Sequence, residues 1–261
     1  MADLADVKLA LLDLDGTVYV GTRPVAGAAA AVARLRDLGV RVRFVTNTDS
    51  VTPEALCGRL AGMGIRAAAG EVLTPVVLAH RLFGELEPER PRLLAVASPE
   101  IRELLGRFLA GPGEPATHVL VCDPSYGATY EDLDAAFRAV RAGAELVATQ
   151  VARIARRDDG DHLDTGGFVR LLEYATGERA RVLGKPSPDF FRLALETAGV
   201  ERARAIMVGD DLAADVAGAQ AVGMRAVLVR TGKGSEPHPD AGPTEPDATV
   251  ASLAALPSLL Q

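Results

Sequence analysis

The feature that most constrains the fold is an apolar run that ends abruptly in polar residues, VKLALLDLDGT at Val7–Thr17. An apolar run of about six residues is typical of a strand buried on both faces of a parallel sheet. Asp13, Asp15 and Thr17 follow where such a strand emerges at its carboxyl end. Because open α/β sheets bind ligands at that edge, the segment predicts a site as well as a strand.

The polar end of this segment has the donor types of a cation site. Asp13 and Asp15 are one residue apart, and both can help to hold Mg²⁺, one by its side chain and one by its backbone carbonyl, since hard cations take oxygen ligands. Gly16 permits a tight turn. The alternative is a plain Asp-Gly turn after a core strand, since that pair is common in turns. Three further segments weigh against this alternative.

The first is VRFVTN at Val42–Asn47, another apolar strand that ends in short polar side chains. Thr46 and Asn47 are suited to bind a phosphoryl oxygen, although Thr-Asn after a strand also occurs as a turn or a helix cap. The second is LGKPSP at Leu183–Pro188. A lone lysine is usually a solvated charge, but Lys185 stands between glycine and proline directly before a predicted helix start.

The third segment is AIMVGDDLAADVAGA at Ala205–Ala219, where a strand ends in acidic residues and a helix begins. Acids near a helix N-terminus often only complement the helix dipole. Asp210, Asp211 and Asp215 lie within six positions after a buried strand, which indicates a cation site.

These four segments, in this order, resemble the four motifs of the haloacid dehalogenase superfamily of phosphohydrolases. The long insert between the second and third motifs is similar to that of members with a type IIA cap. The resemblance implies that Asp13 is the nucleophile and Asp15 the acid/base, and that Thr46, Asn47 and Lys185 bind phosphate. It also implies a Mg²⁺ cofactor held by Asp13, Asp15 and Asp210.

Two acids keep subordinate or open roles in this interpretation. Asp215 is expected to hydrogen-bond a bound water or Lys185. Asp211 is a ligand, a partner of a ligand, or simply an acid at a helix start.

Further stretches, among them LEYATG, GKPSPDFF and VRTGK, are similar to the phospholysine phosphohistidine inorganic pyrophosphate phosphatase-like subfamily. That subfamily carries serine where this chain has Asp15. An acid at this position can protonate a poor leaving group, which favours ester hydrolysis and puts a preference for phosphorus–nitrogen bonds in doubt.

Alternation of predicted strands and helices defines the organisation of the chain. We expect an α/β fold, a doubly wound (Rossmann-like) parallel sheet core with an inserted α/β cap domain. Residues 1–76 and 179–261 are predicted to form the catalytic core and residues 77–178 the cap. The predicted elements include strands at Val40–Val45, Arg92–Ala97, His118–Cys122, Glu145–Thr149, Arg181–Leu183 of the core, Ala205–Val208 and Ala226–Arg230, and helices at Val25–Leu38, from Pro53, at Asp132–Arg141 and at Pro188–Ala198.

Composition sets limits on the partners. The net charge of −7, without a basic cluster, argues against nucleic-acid binding. Two isolated cysteines, Cys57 and Cys122, fit a reducing cytoplasm, and we expect neither a signal peptide nor a membrane span. The expected partner is a small phosphorylated substrate, and in the resembled family caps of this type often mediate a homodimer.

Substrate choice is expected to reside in the cap, in QVARIARRDDGDHLDTGGF at Gln150–Phe168. Arg153, Arg156 and Arg157 can meet a second anionic group on the substrate, and His162 can hydrogen-bond it. The alternative is a solvated loop in which the RR and DDGD residues pair with one another.

Two functions in different classes remain. One is a Mg²⁺-dependent phosphatase of small metabolites that works through an aspartyl-phosphate. The other is a catalytically weak member of the same fold that binds a phosphorylated ligand or a partner. The presence of both a nucleophile and an acid favours the enzyme.

Overall fold

The computed structural model describes residue 4 and residues 6–86, 90–157, 159–236 and 242–261. Among these residues, every helix is too short or too polar to span a bilayer. The chain forms two compact units, the first of residues 1–46, 53–73 and 185–261 and the second of residues 47–52 and 74–184.

The elements are numbered in chain order. The strands are β1 (Leu9–Leu12), β2 (Tyr19–Val20), β3 (Arg23–Pro24), β4 (Arg41–Val45), β5 (Val72–Leu73), β6 (Leu93–Val96), β7 (His118–Val121), β8 (Glu145–Ala148), β9 (Ile154–Arg157), β10 (Gly160–Leu163), β11 (Arg181–Val182), β12 (Ala205–Gly209), β13 (Arg225–Val229) and β14 (Ala248–Val250). The α-helices are α1 (Ala28–Asp37), α2 (Pro53–Gly62), α3 (Pro75–Glu85), α4 (Pro99–Leu104), α5 (Tyr130–Arg141), α6 (Thr165–Thr176), α7 (Pro188–Ala198) and α8 (Gly218–Ala221). A π-helical stretch covers Leu212–Ala217, and 3₁₀ turns cover Ala69–Glu71, Gly106–Phe108, Pro124–Tyr126, Arg202–Arg204, Gly232–Ser235 and Leu253–Leu259.

A six-stranded parallel sheet organises the first unit, in the order β14-β13-β12-β1-β4-β5. Counted along the chain within this sheet, the strand order from β5 to β14 is 3-2-1-4-5-6. This is the doubly wound order, and its direction reverses between β1 and β12. The crevice at the carboxyl ends of these two strands is therefore where a ligand is expected.

The two central strands lie at the centre of the core. Every residue of β1 and β12 is buried, and the backbones pair in parallel from Leu9 with Ala205 to Leu12 with Val208. Burial on both faces explains the unbroken apolar runs in the sequence. The predicted helix Pro188–Ala198 has those bounds in α7, which starts with proline at its first position and ends before Gly199 in the left-handed conformation.

A four-stranded parallel sheet, in the order β11-β8-β7-β6, organises the second unit. Its apolar core joins the strands to α5 and α6 through residues such as Val121, Leu146 and Leu172. The expectation that residues 181–183 return to the core sheet was wrong. Arg181–Val182 pairs instead with Val147 and Ala148 of β8, because its backbone continues this sheet as an edge strand.

The two units also differ from the predicted core and cap at residues 47–52, 74–76 and 179–184. These residues were predicted to belong to the core and lie in the second unit. Asp49 shows why the first of these segments belongs there. Its buried carboxylate accepts hydrogen bonds from the hydroxyls of Thr149 and Thr165. Burial raises the pKa of Asp49 to about 7, despite the hydrogen bond from Thr149.

Candidate active site

The first site residue, Asp13, directly follows β1 and is held by a buried lysine. The Lys185 ammonium lies 2.6 Å from Asp13 Oδ1 and 2.6 Å from Asp215 Oδ1, and it donates to the Val45 carbonyl at 3.3 Å. Only 2% of the Lys185 side chain is exposed, so these contacts replace its hydration. Burial opposes the charge of Lys185, but Asp13 and Asp215 outweigh it and raise its pKa above the usual value.

Three acids converge around this lysine. In the described part of the chain, carboxylate oxygens of Asp13, Asp210 and Asp215 lie within 4.8 Å of one another. Burial raises the pKa of Asp13, raises that of Asp210 to about 8 and raises that of Asp215 to about 6. For Asp210, the neighbouring negative charges of Asp13 and Asp215 add to the effect of burial.

The charges of this cluster fit a divalent cation. Three ionised carboxylates and the one ammonium of Lys185 leave two negative charges in a buried space. The donors are all carboxylate oxygens, which are the ligands of Mg²⁺ rather than of soft metals. Bound Mg²⁺ would balance this charge and favour the ionised carboxylates, against the effect of burial.

Asp15 lies outside this group of side chains. Its carboxylate is exposed and accepts a hydrogen bond from the Gly21 amide at 3.1 Å. Sequence analysis expected one of Asp13 and Asp15 to hold the metal by its side chain and the other by its backbone carbonyl, and the exposed position of the Asp15 side chain leaves its carbonyl for that contact. Gly16 follows with φ +89°, and a Cβ there would overlap the Asp210 carboxylate. Glycine is therefore required at position 16, where the turn after β1 passes the Asp210 carboxylate.

Asp211 uses its carboxylate at the start of the following helical stretch. Its Oδ1 accepts from the amides of Ala213 and Ala214, and its Oδ2 pairs with the Lys233 ammonium at 3.1 Å. Although burial opposes ionisation, these partners lower the pKa of Asp211. The bonds to the two amides are those of an acid at a helix start, one of the roles that the sequence leaves open.

Thr46 is buried at the end of β4, and its amide donates to the Leu73 carbonyl at 3.1 Å. Asn47 and Arg153 belong to the second unit. The predicted loop around Arg153 is the antiparallel hairpin β9–β10 followed by α6, and His162 Nε2 lies 2.9 Å from Asp159 Oδ1. The side chains of Arg156 and Arg157 lie outside the described part of the structure, as does Asp158.

Sequence analysis assigned no role to the residues after β13, although VRTGK was among the stretches that carried the resemblance. Lys233 donates its backbone N–H to Asp210 Oδ2 at 2.6 Å, and the Thr231 hydroxyl donates to the Gly16 carbonyl at 2.5 Å. The available signal was a polar, glycine-rich segment directly after a buried strand, the same signal that identified Asp13.

Comparisons with known proteins show the family to which the chain is similar. Residues 10–108 match the haloacid dehalogenase-like hydrolase profile, and residues 182–256 match a HAD-hydrolase-like profile. The rat phospholysine phosphohistidine inorganic pyrophosphate phosphatase is 37% identical over 266 residues, which cover 98% of this chain and 95% of the relative. Human haloacid dehalogenase-like hydrolase domain-containing protein 2 is 39% identical over 235 residues, with 89% and 88% covered.

Solved structures show the same likeness over the whole chain. A 4-nitrophenylphosphatase from Thermotoga maritima has a TM-score of 0.89 and 26% identity, with 100% of both chains covered. A glycerol phosphate phosphatase from Mycobacterium tuberculosis, in complex with magnesium, has a TM-score of 0.85 and 30% identity, with 98% of this chain and 78% of that chain covered. The chain belongs to the haloacid dehalogenase-like hydrolases, as the four motifs of its sequence indicated.

Proposed function

We propose that this protein is a Mg²⁺-dependent phosphohydrolase that cleaves small phosphorylated metabolites through an aspartyl-phosphate on Asp13. The observation that carries the proposal is the buried Asp13 carboxylate, held by Lys185 at 2.6 Å beside two further acids. The names of the relatives, which include 4-nitrophenylphosphatase and glycerol phosphate phosphatase, support the same reaction class.

Asp13 and Asp210 would hold Mg²⁺ by carboxylate oxygens and Asp15 by its backbone carbonyl. Bound Mg²⁺ would neutralise negative charge on the phosphoryl group and on the attacking carboxylate. Without that neutralisation, a phosphomonoester dianion repels a carboxylate nucleophile.

In the first half of the reaction the Asp13 carboxylate attacks phosphorus, and the bond to the leaving oxygen breaks. Lys185 favours the ionised form of Asp13 against the effect of burial and fixes its orientation. The Asp15 carboxyl gives its proton to the leaving oxygen. Thr46 and Asn47 bind the remaining phosphoryl oxygens.

In the second half Asp15, now ionised, takes a proton from water as that water attacks the aspartyl-phosphate. Inorganic phosphate leaves, and Asp13 is regenerated. Asp215 takes no proton in this scheme. It shares the ammonium of Lys185 and so holds the lysine against Asp13.

The test of the proposed function is hydrolysis of p-nitrophenyl phosphate with Mg²⁺ and with EDTA. We expect steady release of p-nitrophenol with Mg²⁺, and its loss with EDTA should be reversed by excess Mg²⁺. Saturable phosphate binding without turnover would identify the protein as a phospho-ligand-binding member of the family instead.

Asp15→Asn should slow the hydrolysis of alkyl phosphates more than that of p-nitrophenyl phosphate, whose phenolate leaves with little help. Breakdown of the aspartyl-phosphate should also slow, so the intermediate should accumulate. The measurement is kcat/KM on both substrates together with direct trapping of the intermediate. Asp37→Asn, a change at an exposed acid in α1, is the matched control. Equal losses on both substrates without accumulation would point to a structural role for Asp15.

We further propose that the second unit is the cap that selects the substrate and that Arg153 binds a second anionic group. Arg153→Ala should leave activity on p-nitrophenyl phosphate nearly unchanged. On phosphoglycolate or another preferred substrate with a second anionic group besides the phosphate, loss of one good contact should cost about 1.5–3 kcal/mol, roughly ten- to a hundred-fold in kcat/KM. Arg141→Ala, at an exposed position of the same unit, is the control. If Arg153→Ala lowers kcat/KM by the same factor on both substrates, Arg153 does not bind the second anionic group.

The remaining proposals concern the cell and the assembly. The free thiols of Cys57 and Cys122 support a reducing, cytoplasmic location. Exposed apolar side chains of the second unit support a homodimer through the cap, among them Leu163 at 61% and Tyr174 at 94% exposure. Sedimentation velocity checks the dimer, and a single monomeric species at all concentrations would exclude it.

A further inference from the structure

The segment after β13, Thr231-Gly232-Lys233-Gly234, contacts two of the loops that carry the acids of the site. We call it the TGKG loop. It belongs to the first unit, and two of its residues donate hydrogen bonds to Gly16 and Asp210. The reaction scheme above gives this loop no role.

The first contact engages one oxygen of Asp210. The backbone N–H of Lys233 donates to Asp210 Oδ2 at 2.6 Å, and only 4% of Asp210 is exposed. Among the described residues, Asp210 Oδ1 accepts no hydrogen bond from the protein. A carboxylate with one oxygen held in this way has a fixed rotation and presents the other oxygen to a cation.

The second contact fixes the turn that directly follows Asp13 and Asp15. The Thr231 hydroxyl donates to the Gly16 carbonyl at 2.5 Å, and the Gly16 N–H donates to the Tyr19 carbonyl at 2.6 Å. Because the peptide bond is planar, the direction of the Gly16 N–H sets the direction of the Asp15 carbonyl. The bond from the Gly16 N–H to Tyr19 therefore aims the Asp15 carbonyl, and the bond from Thr231 holds the next peptide, so that Gly16 is fixed on both sides.

The close approach of the loop depends on Gly232. Its φ is +55°, and a Cβ there would overlap Asp210 Oδ2 and lie 2.5 Å from Gly16 Cα. Glycine alone adopts this backbone at low cost and leaves room for both neighbours. The Lys233 side chain turns to Asp211 Oδ2 at 3.1 Å, so its ammonium holds the neighbouring acid rather than Asp210.

From these contacts we propose that the TGKG loop is a positioning element of the Mg²⁺ site, which aims Asp210 Oδ1 and steadies the turn that carries the Asp15 carbonyl, without itself contacting the metal. This inference rests on the proposed function, since it assigns the cation to that site. The residues act through Asp210 and Gly16, so they are positioning residues and not catalytic ones.

Thr231→Val removes the hydroxyl at nearly constant volume and is the first test. Partners of metal ligands typically contribute 10–100-fold to metal affinity, so the Kd for Mg²⁺ should rise by about tenfold. Isothermal titration of the metal-free protein with Mg²⁺ measures it directly. Thr231→Ser keeps the donor and should restore the Kd to near the wild-type value.

Thr197→Val is the matched control, because Thr197 also donates its hydroxyl to a backbone carbonyl of the first unit, that of Leu193 at 2.7 Å. It should leave Mg²⁺ affinity unchanged. The metal-free Thr231→Val protein should melt no lower than Thr197→Val, which separates positioning from a general loss of stability. Gly232→Ala gives an independent measurement, and its Kd should rise more than that of Thr231→Val because the added Cβ displaces Asp210.

The outcomes distinguish this inference from the proposed function. If wild-type protein binds Mg²⁺ and hydrolyses p-nitrophenyl phosphate, but Thr231→Val and Gly232→Ala bind Mg²⁺ as wild type does, the positioning role is wrong and the phosphatase stands. Failure of Thr231→Ser to restore the affinity would also overturn it. If wild-type protein neither binds Mg²⁺ nor turns over, both proposals fail.

Discussion

Replacement of Asp13 by asparagine should reduce turnover of p-nitrophenyl phosphate at least about a hundred-fold and leave the fold intact, because losses of several orders of magnitude are usual when a nucleophile is removed. The change is nearly isosteric. The amide oxygen can still accept a hydrogen bond from Lys185, whose ammonium lies 2.6 Å from Asp13 Oδ1 in the wild-type protein. It also removes a negative charge that contributes to the raised pKa of Asp210. The metal-free variant should therefore be no less stable than the wild type.

The measurements are kcat with saturating Mg²⁺, the thermal midpoint, and capture of the acyl phosphate by hydroxylamine. Wild-type protein should give a trapped intermediate during turnover, and the variant should give none. Asp189→Asn, a change at a half-exposed acid in the first turn of α7, controls for the loss of a carboxylate. Activity above about 1% of wild type would contradict covalent catalysis by Asp13.

Lys185→Met should abolish activity and also lower the free energy of unfolding by about 3–5 kcal/mol, the usual cost when one member of a buried ion pair is removed. The ammonium sits 2.6 Å from both Asp13 and Asp215, so its loss leaves two buried carboxylates without their cation. Lys8→Met, a change at an exposed lysine, is the matched control.

The loss of stability should depend on pH in a defined direction. Burial already raises the pKa of Asp215 to about 6, while Lys185 opposes that rise, so removal of the lysine should raise it further. A carboxyl with a raised pKa in the folded state binds more protons than in the unfolded state, so stability falls as pH rises from about 4 through the folded-state pKa. The thermal midpoint of Lys185→Met should therefore lie further below wild type at pH 8 than at pH 5.

A second variant separates charge from packing. Lys185→Met/Asp215→Asn removes one of the stranded charges and should recover part of the stability without recovering activity. The contrary result is a drop in thermal midpoint that is the same at pH 5 and pH 8 and that the double variant does not reduce. It would mean that Lys185 contributes packing rather than charge.

The centre of the fold could be predicted from the sequence because its signals are local. The apolar run before Asp13 is long enough to require burial on both faces, and the serine, proline and glycine around α7 define both ends of that helix. The acids at Asp210–Asp215 could be expected near Asp13 because parallel strands carry their carboxyl ends to one edge.

The edges could not be predicted, because their structure depends on distant partners. Val72–Leu73 and Ala248–Val250 are strands of two and three residues, too short for a periodic pattern. Arg181–Val182 has the composition of any short strand, and only its pairing with β8 assigns it to the second unit. The contact of Lys233 with Asp210 uses a backbone N–H, which leaves no signature in the side-chain sequence.

The first unit is assembled from three separate stretches of chain, and this has a consequence for synthesis. Asp13 and Lys185 are 172 positions apart, and Gly16 and Thr231 are 215 positions apart, while most of the second unit is the continuous stretch 74–184.

Chains are made from the N-terminus, and domains generally fold as units. The stretch 74–184 can therefore fold on the ribosome while β1 still waits for its partner β12. Asp13, the proposed nucleophile, is translated long before Lys185, its neighbouring acids and the TGKG loop, since Thr231 lies 215 positions after Gly16. A nascent chain that has not reached Thr231 therefore carries Asp13 without these partners, and under the proposed function its hydrolytic competence arises late in folding.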